Sequence, residues 1–198
     1  MVIGAAVSVA VDAYVTTQIN HEEYSWQRAG VAAAAGALSG GIGAGIIAPL
    51  AAIAGATAGA LSVVPVGATA AVEIGTEAVV GATLAAEANI FISSGQRTAI
   101  QALEGEDVSF ETYRSNIREN KTADAVFGAA GYTLGWGLGS AINYSFPIIP
   151  NGMNSSSSQQ MIIGGMQAGG QALSNSTLLD SVFNRPSKPK SEPPVGWR

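Results

Sequence analysis

The chain has 198 residues and a formal net charge of −5, which argues against a nucleic-acid-binding surface. Only 12% of it is charged, against roughly 25% in ordinary soluble domains, and it contains no cysteine, which excludes disulfides, thiol catalysis and cysteine metal sites. Apolar residues reach 47%, but they are drawn heavily from Ala and Gly, so the helices they build are only marginally hydrophobic.

Residues 2–19 read as a first helix, with Val7, Val11, Tyr14 and Ile19 on or near one face. The segment has no basic residue ahead of its apolar run, and Asp12 interrupts it, so it does not read as a signal peptide. Asn20-His21-Glu22-Glu23 forms a polar connector, and Ser25 is a good N-cap for the long Ala/Gly segment beyond it.

Gly30–Val72 runs 43 residues without Asp, Glu, Lys, Arg or His. Its glycines recur at four-residue spacing, as Gly36/Gly40, Gly41/Gly45 and Gly55/Gly59. Residues four apart share one helix face, so each pair opens a groove for close approach of a second backbone. Pro49 removes a donor and crowds the preceding turn, which predicts two helices, about 27–47 and 50–62. Val63–Gly67 reads as a turn or short extended link.

Residues 68–103 form the next helix, with Glu73, Glu77 and Glu87 spaced as one wetted stripe. Glu104-Gly105-Glu106-Asp107 is a loop, and Ser109 caps a charged helix at 110–119. A further apolar helix covers about 122–144 and carries a second seam, Gly131/Gly135/Gly139, beside Trp136. Asn154–Ser158 reads as a polar link, 159–174 as a short helix with Gly165/Gly169, and 184–198 as a disordered, Pro-rich tail. The expected fold is all-α, built of Gly/Ala-rich helical hairpins: a helical domain at 1–150, a Ser/Gly-rich link with a short helix at 151–183, and the tail. An imperfect internal echo runs through it, since Glu22-Glu23-Tyr24-Ser25-Trp26 and Glu106-Asp107-Val108-Ser109-Phe110 each lead toward a glycine seam.

Catalytic signals are sparse. His21 is the only histidine, so no triad with a histidine ligand set exists, and in its polar loop it reads as a solvated residue. Glu104, Glu106, Asp107 and Glu111 lack the twelve-residue calcium-loop pattern. No lysine precedes Lys121, so the glycine runs make no phosphate loop. Glu106, Asp107, Arg114 and Arg118 are the least poor candidates for an unfamiliar enzyme site. The expectation is no catalytic residue, no metal and no cofactor.

An acidic loop with Ser-Trp or Ser-Phe, followed by AGVAAAAGALSGGIGAG or ADAVFGAAGYTLGWGLG, resembles the C-terminal tails of Rhs/YD-repeat polymorphic toxins. The resemblance covers roughly residues 1–145 and is carried by composition. It implies an effector of interbacterial competition, delivered by a secretion system, held by a cage or chaperone beforehand and neutralised by a cognate immunity protein. Joined to the charge-free segments, it gives a non-enzymatic, pore-forming or depolarising domain acting on a target cell's inner membrane, with homo-oligomers assembled through the seams. The alternatives are an inert helical connector or plug within a larger effector, and an enzymatic toxin of unfamiliar type.

Overall fold

The computed structural model describes residues 1–62, 66–145 and 155–175, and among them all regular structure is helical, as the composition predicts. The helices are α1 (Val2–Tyr14), α2 (Trp26–Ile42), α3 (Ala48–Leu61), α4 (Val66–Leu103), α5 (Phe110–Ser145) and α6 (Ser155–Ser174). The tail predicted at 184–198 and residues 63–65 of the turn predicted at 63–67 lie outside the described residues, while Val66 and Gly67 belong to α4 and not to a turn.

The punctuation residues work as their chemistry requires. Ser25 Oγ accepts from the Arg28 amide at 3.2 Å and starts α2. Ser109 and Thr112 cap α5 reciprocally, each side-chain oxygen accepting from the other's backbone N–H. Gly105, at φ 83°, ends α4 in a left-handed turn in which the Glu106 N–H reaches the Gln101 carbonyl at 3.0 Å. His21 occupies the same backbone region at φ 56°, beyond a π-helical turn, Val15–Ile19, that extends α1.

Three boundaries differ from the sequence expectation. Pro49 does not break its helix: a π-helical turn, Gly43–Ile47, joins α2 to α3 so that helix runs from Trp26 to Leu61. The wider turn gives the proline ring room and absorbs the missing donor. The charged segment at 110–119 and the apolar one at 122–144 form one helix, α5, because nothing between Glu119 and Ala123 is a breaker. Ser155–Ser158 starts α6 instead of linking to it, since serine is tolerated in a first turn.

Close contacts fix the arrangement. α1 and α2 are antiparallel, because Gly4 meets Gly36 and Gly40 while Asp12 pairs with Arg28. α4 and α5 are antiparallel as well, with Gly81 at Tyr132 and Gly128 at Ala85. α3 lies against the first part of α4, where Gly55 meets Glu73. α6 packs against α1, α2, α4 and α5, parallel to α1 (Ile3 beside Gly165, Val7 beside Gly169) and antiparallel to α5 (Gly135 beside Ile163, Gly170 beside Phe127). A weakly apolar helix thus stands between two hairpins that each begin their second long helix at a Ser cap followed by an exposed aromatic, Trp26 or Phe110.

Candidate functional site

The polarity of the bundle is inverted. Among the described residues the interior holds as many polar as apolar side chains, and most of the apolar ones are alanines. The large apolar residues point outward instead, among them Leu38, Ile53, Val79, Phe91, Leu134 and Leu61, the last 79% exposed. Single exposed leucines mean little, but many large apolar side chains outside an interior that is half polar point to a surface that meets something other than water.

The polar interior comes from stripes of helical period. Ser8, Asp12 and Thr16 line α1; Asn89, Ser93 and Gln96 line α4; Gln167, Gln171 and Ser174 line α6. They are knit across helices: Ser8 Oγ donates to Gln171 Oε1 at 3.3 Å, Gln171 Nε2 donates to Gln96 Oε1, and Ser93 and Ser174 share a hydrogen bond of 2.9 Å. Asn89 Nδ2 donates to the Asp124 carbonyl at 2.7 Å. Each hairpin also turns one ion pair inward, Asp12–Arg28 at 3.3 Å and Arg97–Asp124. Beside the first of these, burial and then the charge of Asp12 push the Tyr24 phenol well above its ordinary range.

Several buried polar atoms have no hydrogen-bond partner among the described residues: Thr16 Oγ1, Ser39 Oγ, Ser94 Oγ, Gln96 Nε2 and both amide atoms of Gln167. Gln167 is fully buried and its amide lies over Gly43, in the π-helical turn, where a Cβ would overlap it. Beyond Gln167 lies an apolar cluster of Ile47, Ala48, Ala51, Ala85, Tyr132 and Ile163, in which the Tyr132 hydroxyl has no hydrogen-bond partner among the described residues.

The glycines singled out in the sequence fall into two groups. Gly36 and Gly40 receive α1, and a Cβ on Gly40 would come 2.9 Å from the Gly164 carbonyl oxygen of α6. Gly55 and Gly59 receive Glu73, and Gly131, Gly135 and Gly139 receive α6. Gly41 meets the flexible Met1 side chain, and Gly45 faces open space. The other halves of these contacts, Gly4, Gly164 and Gly170, were not singled out. Glu73 and Glu77 lie on the inner side, where Glu77 Oε1 accepts from Trp136 Nε1 at 2.9 Å, whereas Glu87 is exposed; the three do not form one stripe.

The remaining candidates stand apart. His21 is exposed in its turn, and Glu106, Asp107, Arg114 and Arg118 are all exposed around the α4–α5 connection, with Arg114 paired to Glu111 at 3.5 Å. No three carboxylate or imidazole groups gather as a metal cluster among the described residues.

Three helices are long and apolar enough to cross a membrane, Val2–Ile19, Trp26–Leu61 and Ala68–Leu103, each holding an 18-residue stretch of high mean hydropathy, 1.5, 1.8 and 1.3 respectively. At 1.5 Å per residue the longer two measure about 54 Å, well beyond the roughly 30 Å of a hydrocarbon core. No protein-family model, curated protein or solved structure matches this chain.

Proposed function

We propose that this chain is a membrane-inserting helical domain that lets small solutes cross the bilayer, acting without enzymatic chemistry as the permeabilising toxin domain of a secreted antibacterial effector. The observation that carries the membrane part is the inverted polarity: apolar side chains outside, hydrogen-bonded Ser, Asn, Gln and ion pairs inside. In lipid, polar groups must be satisfied within the protein, and intramembrane charges face the interior and pair. Arg97–Asp124 and Asp12–Arg28 fit that requirement, whereas Glu87, exposed on α4, does not. Exposed Trp26 and Tyr14, near the end of the α1–α2 hairpin where the charges begin, suit the headgroup level. The toxin assignment draws on the Rhs-type resemblance and brings its expected partners, a cage or chaperone before delivery and an immunity protein.

The test is direct. The purified chain is added to liposomes loaded with a small ion, and membrane potential is followed in bacteria expressing it in the cytoplasm or the periplasm. Insertion with ion efflux and depolarisation supports the reading; a protein that stays in the aqueous phase, leaves potential unchanged and is still toxic defeats it.

A second reading, a packed helical plug within a larger effector, is favoured by one observation. Gly36, Gly40, Gly131 and Gly135 already receive helices of the same chain, so they are not free to bind another copy. That reading predicts no toxicity on expression. Under either reading, self-association uses a surface other than these seams.

A further inference from the structure

The interior changes character along α6. From Gln167 to Asn175 its surroundings are polar: Ser8, Gln96, Ser93, Asn89 and the Arg97–Asp124 pair. From Gln167 toward Ile163, one helical turn away, they are mainly apolar, the exceptions being the Tyr132 hydroxyl, which has no partner among the described residues, and Glu77, which accepts from Trp136 at the edge of the cluster. The polar half also holds groups that the protein leaves unpaired, namely Ser94 Oγ, Gln96 Nε2 and, at the boundary, both amide atoms of Gln167. Buried polar groups left without protein partners are the ones ordered water satisfies. Arg97, whose side chain retains 15% exposure, and the partly exposed Asn175 sit at the outer end of this half.

We infer that the polar half is a vestibule reached by water from one face of the membrane, and that the Ile47–Tyr132–Ile163 cluster is the apolar barrier closing it. The inference rests on the membrane reading above and adds the position of the wet path and of its closure. An apolar constriction excludes water and ions without a moving plug, so the described arrangement is the closed one. The two ion pairs, Asp12–Arg28 and Arg97–Asp124, add no net charge to the vestibule, while the inward Glu73 and Glu77 lie on the side of the barrier. Gln167 is the polar group at the boundary, and the Tyr132 hydroxyl is the polar atom within the barrier cluster. The Gln167 amide rests over the π-helical turn that joins α2 to α3, which ties the boundary to the one irregular point of that long helix.

The chain has no cysteine, so single cysteines report accessibility cleanly. Ser8→Cys, Ser93→Cys and Ser174→Cys place a thiol in the vestibule with little change of shape. Ala51→Cys and Ala85→Cys place one in the barrier, and Leu38→Cys places one on the outer face. Each full-length variant is mixed with phosphatidylcholine vesicles, and flotation scores insertion. An impermeant charged thiol reagent is then applied, with a permeant maleimide confirming that every thiol is reactive. Labelling of the vestibule positions at least about tenfold faster than the barrier and outer-face positions is the expected result. Equal labelling of both halves, or protection of the vestibule, overturns it. A protein that does not float with vesicles defeats the membrane reading itself. Independently, Ile163→Ser should raise efflux of an entrapped small solute about tenfold, because a polar side chain admits water to the constriction. Unchanged efflux in an Ile163→Ser variant that still floats removes the barrier from the proposal.

Discussion

Arg97 holds Asp124 with two guanidinium nitrogens, Nη1 donating to Oδ2 at 2.9 Å and Nη2 to Oδ1, and Nη2 also donates to the Ser174 carbonyl at 3.0 Å. One cation thereby joins α4, α5 and α6 at a site where Asp124 has no exposed surface. Removing one partner of such a pair leaves a buried, uncompensated charge. Asp124→Leu should lose about 3–5 kcal/mol, read by denaturation in detergent micelles followed by circular dichroism. The double variant Arg97→Met with Asp124→Leu should recover most of that loss. A double variant as unstable as the single one would mean that the pair contributes more than charge compensation.

The glycine seam separates into positions that differ in sign. A Cβ on Gly135 would lie 2.7 Å from the Ile163 Cα, and one on Gly40 would lie 2.9 Å from the Gly164 carbonyl oxygen. Backbone cannot yield there as a flexible side chain does, so Gly135→Ala and Gly40→Ala should each cost about 1–3 kcal/mol. Gly45 faces open space, so Gly45→Ala should gain roughly 0.5–1 kcal/mol through helix propensity alone. Melting curves of the three variants check the pattern.

The apolar exterior predicts a response to charge that depends on the surroundings. Leu38→Arg and Leu84→Arg alter exposed positions on α2 and α4. In water such changes stay within about 0.5 kcal/mol of neutral. In a bilayer each should oppose insertion by about 2.5–3.5 kcal/mol near the midplane. Vesicle partitioning that falls steeply, with unchanged helicity in detergent, is the expected outcome.

His21 adopts a left-handed conformation that most L-residues enter at a cost of roughly 1–2 kcal/mol. Its side chain is exposed, so nothing is lost by removing it. His21→Gly should therefore stabilise the chain by up to about 1 kcal/mol, measured as a higher unfolding midpoint.

The elements were legible in the sequence because caps and charge-free runs are local signals: Ser25, Ser109 and Gly105 act where they stand. Pro49 was misleading, since a donor missing from one turn is accommodated by a wider turn just before it, and no sequence rule states when that happens. Half of each glycine contact was legible and half was not. Gly36 and Gly40 show their spacing openly, whereas Gly4 is a single glycine whose role depends on which helix comes to rest on it. The polar stripes were present all along, as Ser8/Asp12/Thr16 on α1 and Gln167/Gln171/Ser174 on α6. Attention to apolar periodicity hides them, because in an inverted bundle it is the polar residues that mark the inside.

The place of α6 in the chain has a kinetic consequence. Ser8 and Gln171, which bond to each other, are 163 positions apart, and Ser93 meets Ser174 across 81. The helix that both hairpins need in order to cover their inward polar stripes leaves the ribosome after them. Until it arrives, α1 and α4 carry unpaired hydroxyls and amides on one side and bare apolar surface on the other, a state prone to aggregation. Folding dominated by such distant pairings is slow, because chain closure is unfavourable before the contacts that offset it can form. A nascent chain of this kind stays unfinished until α6 docks, and that interval is when a holding partner has the most to grip.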